Sequence, residues 1–127
     1  MSNWYDNLNK APWTPPNWVF GVIWPILYLF MAISVGFIFS ERNNDHFNMG
    51  IILFFIQLTL NLSWSPIFFT LEMPTLALFI MIALIVTTIA TIYYFSKINR
   101  LSAYLLFPYI IWLFIAFSLN LYIVIYN

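Results

Sequence analysis

The chain has no cysteine, only three glycines and only eight charged residues among 127. Without cysteine there is no disulfide, no thiolate nucleophile and no Cys-type metal site, and the redox compartment is left undetermined. With 6% charged and 64% hydrophobic residues, it cannot be a water-soluble globule, where about a quarter of residues carry charge. Zero net charge and the lack of a basic run argue against nucleic acid as a partner. Long runs without alternation argue for a helical bundle over a β-barrel, whose strands are about ten residues long and alternate inward and outward. The polar start Met1-Ser2-Asn3 lacks the basic region and cleavage site of a signal peptide.

What is present is apolar sequence divided by charge. Asp6, Lys10, Glu41, Arg42, Asp45, Glu72, Lys97 and Arg100 fall in four clusters, leaving uncharged runs at 11–40, 46–71, 73–96 and 101–127. Each exceeds the ~20 residues that cross a hydrocarbon core as a helix. The expected fold is therefore an all-α integral membrane protein, a single domain over 1–127 with transmembrane helices at 16–40, 47–71, 75–96 and 101–126. Residues 1–15, with Trp4, Tyr5 and Leu8 at helical spacing, read as a lead-in lying on the membrane surface. Arg42, Lys97 and Arg100 lie at the end opposite Lys10 and both termini, which places the two loops carrying them inside.

Local signals refine the spans. Pro15 and Pro16 suit a helix start, where the missing N–H would be unpaired anyway. Trp13 and Trp18 suit the lipid–water boundary, but Trp24 lies one to two turns deeper, where its indole N–H needs a partner. Pro25 and Pro66 should kink their helices. Ala32 with Gly36, Thr59 with Ser63, and the Ala83, Thr87, Thr91 series read as close-packing stripes. Asn61, Trp64, Ser65 and Phe68 share one helical face, as do Pro108, Trp112, Ala116 and Asn120.

No Asp, Glu, Lys or Arg lies within any span, so the groups that proton-coupled exporters and pumps need at membrane depth are missing. Serines and threonines have no base beside them for nucleophilic catalysis, and they more naturally bond to the preceding helical turn. His46 stands alone in a charged loop, with no second ligand at metal-binding spacing. At ~1.5 Å per residue, Trp24, Asn61 and Trp112 lie within about 6 Å of the midplane. Two readings of that trio stay open. The aromatics fill interhelical gaps with Asn61 as glue worth about 0.6 to 2 kcal/mol, or they wall a cavity for a flat apolar ligand with Asn61 as its polar contact.

The stretch Trp4-Tyr5, Leu8, Lys10, Pro12-Trp13-Thr14-Pro15-Pro16-Asn17-Trp18-Val19-Phe20-Gly21, Trp24, Leu27-Tyr28, Met31-Ala32 resembles the signature of the tryptophan-rich sensory protein family, which includes the mitochondrial translocator protein, or peripheral-type benzodiazepine receptor. Asn61-Leu62-Ser63-Trp64-Ser65-Pro66-Ile67-Phe68-Phe69 and Pro108-Tyr109-Ile110-Ile111-Trp112, Phe114, Ala116, Leu119-Asn120 are similar to its later motifs. The resemblance implies a membrane receptor, commonly a homodimer, that binds porphyrins and other tetrapyrroles, sterols and benzodiazepine-type drugs without a required cofactor. For bacterial members it implies a cell-membrane location and light-dependent porphyrin breakdown, with Trp24 and Trp112 in the photochemical role. The ligand-binding positions it implies are Trp24, Tyr28, Asn61, Trp64, Phe68, Trp112 and Ala116.

Two departures stand out. The family pattern has five transmembrane helices, and this chain starts just before the Trp-Tyr pair that comes after the first of them. The sterol motif of mammalian members ends in a basic residue, whereas nothing after Arg100 is basic. A four-helix drug exporter and a purely structural bundle are the competing classes. The first requires a membrane-embedded glutamate, and the spans contain none. Because the chain lacks cysteine, Asn43→Cys and Asn127→Cys can each be probed alone. An impermeant maleimide should modify them from opposite faces of the membrane, and modification of both from one face would overturn the four-span topology.

Overall fold

In hydrocarbon every backbone N–H and C=O must be satisfied within the segment, so long apolar runs become helices. The computed structural model describes residues 3–127, and the first two residues of the lead-in lie outside them. The helices are α1 (Asn3–Asp6), α2 (Asn17–Phe39), α3 (Phe47–Ser65), α4 (Pro74–Ser96), α5 (Arg100–Leu105) and α6 (Phe107–Tyr126), with a π-helical turn at Pro66–Thr70. Among the described residues, four spans are long and apolar enough to cross a membrane: Asn17–Phe39, Phe47–Thr70, Pro74–Ser96 and Arg100–Tyr126. The protein is an all-helical integral membrane protein.

Prolines set several of the boundaries. Pro16 is the extended residue before α2, Pro74 opens α4, and Pro108 sits in the first turn of α6. The sequence suggests one helix over 101–126, but the structure divides it at Leu106. Pro108 has no N–H for the Tyr104 carbonyl, and Leu106 instead closes a tighter turn onto the Ala103 carbonyl at 3.1 Å. Pro66 has a different effect. The bonds widen to Leu71 N–H on the Pro66 carbonyl at 3.0 Å and Met73 N–H on the Ile67 carbonyl at 3.1 Å. Glu72, with φ 54°, then turns the chain into α4.

α4 is the central helix, packed against α3, α5 and α6, whereas α2 meets the bundle mainly at α5. The buried face of α4 is Ala77, Met81, Leu84, Ile85, Thr88, Thr91 and Phe95. This corrects the expected stripe: Ala83 is exposed and Thr87 only half-buried. The Thr87 and Thr91 hydroxyls bond back to the carbonyls of Ala83 and Thr87 at 2.7 and 2.8 Å. Ala32 and Gly36 are also exposed, and a Cβ on Gly36 would meet nothing within 4 Å. The glycine that faces the core is Gly50, where a Cβ would make contact with Phe95 and Ile98 at 3.4 Å.

The lead-in is tucked into the bundle rather than spread on the membrane, with Tyr5 and Ala11 buried. Lys10 donates to the carbonyls of Tyr5 and Asp6 at 3.2 Å each, a cation at the C-terminal end of the short α1. Asn9 and Asn127 exchange hydrogen bonds at 2.9 Å, and the Trp13 indole donates to Ser118 at 3.0 Å. The start of the chain is thus laced to the end of α6.

Between α2 and α5 the fully buried Ser34 and Ser102 exchange bonds, each hydroxyl donating to the other's carbonyl at 2.8 and 2.9 Å. The N-cap Asn99, accepting from the Ser102 N–H at 3.3 Å, starts α5 at that point. Ser34→Ala should cost about 0.5–1.5 kcal/mol, and the double Ser34→Ala/Ser102→Ala variant about twice that. Reversible unfolding in mixed SDS micelles checks it, and a neutral double variant would remove the clasp from the account of how α2 is held.

Candidate functional site

Polar side chains that satisfy one another define the middle of the bundle. Tyr28 of α2 donates to Asn61 Oδ1 at 2.6 Å, Asn61 Nδ2 to the Tyr109 hydroxyl at 2.8 Å, and Tyr109 to Gln57 Oε1 at 2.7 Å. Gln57 Nε2 then reaches Met31 Sδ of α2 at 3.7 Å. The chain of donors starts and ends on α2, passing through α3 and α6. Each polar atom in it has a partner, as apolar surroundings require.

One to two helical turns nearer the lead-in lies a cavity of about 650 Å³ lined on α2 by Asn17, Trp18, Phe20, Gly21, Trp24 and Pro25. Trp64, Ser65, Phe68 and Phe69 form a second side, and Trp112, Ala116, Leu119, Asn120 and Ile123 of α6 a third, with Tyr5 of the lead-in at its edge. Trp24 meets Trp112 edge-to-face at 6.3 Å and stacks on Tyr28 at 5.9 Å. Phe20 also meets Trp112 edge-on, at 5.6 Å. Opposite them Trp64 and Phe68 stack at 5.1 Å with 23° between planes. Such offset and edge-on pairs are each worth about 0.5–1.5 kcal/mol beyond burial, so the walls hold their shape without a ligand.

Polar anchoring differs from wall to wall. Trp64 donates its indole N–H to Asn120 Oδ1 at 3.0 Å, and Asn120 Nδ2 donates to the Pro74 carbonyl at 3.0 Å. That fixes α3, α6 and the start of α4 together. Among the described residues, the buried Trp112 Nε1 has no hydrogen-bond partner. Tyr5 is buried; its surroundings, and secondarily the Asp6 carboxylate, push its phenol above the ordinary value, so it stays neutral.

Of the residues suggested by the sequence, Trp24, Trp64, Phe68, Trp112 and Ala116 come together in the lining, while Tyr28 and Asn61 do not. Both amide atoms of Asn61 are engaged by tyrosines, the interhelical role that was one of the two readings of this residue. Phe20, Gly21, Asn120 and Tyr5 were missed. Asn120 shares a helical face with Trp112 and Ala116, and Gln57 lies one turn before Asn61. A polar residue at that depth is itself a signal. His46 is exposed, with Nδ1 3.3 Å from Asn44 Oδ1 and its ring 6.1 Å from Tyr94.

A membrane-spanning helical bundle enclosing an aromatic cavity of ligand size is the class this geometry defines. The chain belongs to the TspO/MBR family, which it matches over residues 1–126. It is similar to the protein CrtK of Rhodobacter capsulatus, at 35% identity over 118 residues covering 92% of this chain and 74% of CrtK. It is 36% identical to the tryptophan-rich protein TspO of Archaeoglobus fulgidus over 129 aligned positions, which cover 100% of this chain and 82% of the relative. With the translocator protein of Homo sapiens it shares 33% identity over 119 residues, 92% of this chain and 70% of the human protein.

Asn61→Leu keeps the volume but deprives Tyr28 of its acceptor. It should destabilise the protein by about 1–3 kcal/mol, the cost of leaving buried polar groups unpaired. Occupancy of the cavity should change less than stability does. Unfolding in mixed micelles, paired with a ligand titration well below the transition, separates the two, and a variant of native stability would show that the circuit is not what holds α2.

Proposed function

We propose that the protein is a membrane receptor for a flat tetrapyrrole such as a porphyrin, bound in the aromatic cavity. Membership of the TspO/MBR family makes it a membrane sensor or receptor of the TspO type. The observation that carries the finer reading is the arrangement of Trp24 and Trp112, edge-to-face at 6.3 Å on a cavity of about 650 Å³ whose far side is the stacked Trp64 and Phe68. That volume is in the usual range for small-molecule sites, about 300–1,000 Å³. Rings on several sides suit a broad π-face, and a benzodiazepine-type ligand would use the same walls.

The same residues support a light-dependent activity. An excited porphyrin in the cavity beside Trp24 and Trp112 would take an electron from an indole, a step that needs neither a nucleophile nor a base. Homodimerisation is part of this proposal. It is supported by the exposed Ala32 and Gly36 on α2, where a second helix could approach closely.

Titration of the purified protein with protoporphyrin, read by quenching of tryptophan emission, tests the binding. Trp24→Ala and Trp112→Ala should each weaken it by about 1–3 kcal/mol through lost packing and stacking. Phe79→Ala, on the outer face of α4 at 63% exposure, should leave it unchanged. Unaltered affinity in the double Trp24→Ala/Trp112→Ala variant would falsify the cavity as the binding site. Under illumination, Trp24→Phe/Trp112→Phe should reduce porphyrin loss to that of the free pigment, and persistence of the faster loss would remove the indoles as electron donors.

A further inference from the structure

Beyond Glu72 the chain carries only two charged side chains, Lys97 and Arg100, and both are cations. They lie at the turn between α4 and α5, at the end of the bundle away from the lead-in and the aromatic cavity. At ~1.5 Å per residue the length of α4 sets the two ends roughly 33 Å apart. The turn is fixed from within. The Asn99 N–H bonds the Phe95 carbonyl at 2.8 Å, the Asn99 side chain accepts from the Ser102 N–H at 3.3 Å, and Phe95, Ile98 and Ser102 are buried. With those residues turned into the bundle, Lys97 and Arg100 are left exposed on its outside. Each has a tyrosine four residues away, on the same helical face. Lys97 Nζ lies 5.4 Å from the centre of the Tyr93 ring, Tyr104 follows Arg100 along α5, and both tyrosines are 57% exposed. Among the described residues neither cation has an ion-pair partner.

We infer that this turn binds the phosphate of an anionic phospholipid, such as phosphatidylglycerol, in the leaflet it faces. Outward-facing tyrosines sit at the lipid–water boundary, which is the depth of the phosphates. Beside them the exposed Leu101 and Phe107 offer apolar surface to the acyl chains of the same lipid. The Arg100 guanidinium can give a phosphate two parallel N–H bonds, and Lys97 adds a point charge. A choline headgroup would bring its own cation against these two, whereas an anionic headgroup brings none. Arg42, Lys97 and Arg100 lie at this end, which makes it the cytoplasmic side, where anionic lipids are held by basic residues next to the membrane. Because the backbone of the turn is already set, binding has to order little more than two side chains. The site is separate from the aromatic cavity and does not rest on the tetrapyrrole reading.

Native mass spectrometry of the protein released from nanodiscs of equal phosphatidylglycerol and phosphatidylcholine tests it, and the unaltered chain should retain phosphatidylglycerol preferentially. Lys97→Gln and Arg100→Gln should each lower that preference about fivefold, the effect of one cation at an anionic surface. Arg42→Gln removes the same charge from the same end of the bundle and should leave the preference unchanged. All three side chains are exposed, so none of these substitutions disturbs the core. Equal retention of the two lipids overturns the inference. A loss as large in Arg42→Gln as in Arg100→Gln does so too, since it would reduce the effect to diffuse charge. Displacement of phosphatidylglycerol by millimolar inorganic phosphate would make the turn a site for soluble anions and overturn the lipid as its occupant.

Discussion

The hydrogen-bonded circuit through Tyr28, Asn61, Tyr109 and Gln57 is the constraint on which the arrangement of α2 depends. Apolar surface gives no net drive for helices to associate when lipid tails are equally apolar, so packing and polar bonds must fix their positions. α4 has packing on several sides, with α3, α5 and α6 against it. α2 has far less, and its fixed points are the circuit at its middle and the Ser34–Ser102 clasp nearer its end. Its first two turns are held by the rings of Phe20 and Trp24 on Trp112. The cavity lies beside this segment.

The opposite side is built differently. Trp64, Asn120 and the Pro74 carbonyl join α3, α6 and α4 by two bonds of 3.0 Å, and Phe68 and Phe69 pack with Tyr5 and Trp4 around them. The widened turn at Pro66–Thr70 contributes here. Adding a residue to the hydrogen-bonded ring rotates the helical face beyond it, and Phe68 is fully buried beside Trp64. One wall of the cavity is therefore tied by hydrogen bonds as well as ring contacts, and the other by ring contacts alone.

The spans were legible because lipid allows so few backbone solutions: charge clusters mark where the chain must leave the hydrocarbon, and runs between them must be helical. The clustering of Trp24, Trp64, Phe68, Trp112 and Ala116 was legible from helical spacing together with family resemblance. Which face of a helix points inward was not. Outer and inner faces are both apolar, as Phe79 at 63% exposure on the same helix as buried Met81 illustrates, so hydropathy carries no directional signal. Small residues then mislead, since the Ala83, Thr87, Thr91 series serves its own backbone while Gly50 faces the core. The partners of Asn61 were hidden for another reason. Tyr28 and Tyr109 come from helices 33 and 48 residues away, and spacing within one helix cannot report pairings between several.

The placement of polar groups also bears on what the site can do. Apart from Arg100 at the start of the last one, the spans contain no Asp, Glu, Lys or Arg, and Gln57, Asn61 and Asn120 are engaged by tyrosine hydroxyls, the Met31 thioether, the Trp64 indole and the Pro74 carbonyl. Acid–base chemistry needs a group able to hold and release a proton near neutral pH, and the cavity lining consists mainly of indoles, phenyl rings and aliphatic side chains, with the Tyr5 phenol, the Ser65 hydroxyl and the Asn17 and Asn120 amides. What such a lining supplies is contact area and, from tryptophan, electrons. Recognition by shape and oxidation of an indole are the two processes that the proposed function asks of it. Both depend on the spacing of Trp24 and Trp112, which the circuit beneath them sets through the stacking of Tyr28 on Trp24. A hydrogen-bond network that touches no ligand in this way determines the geometry of the rings that would.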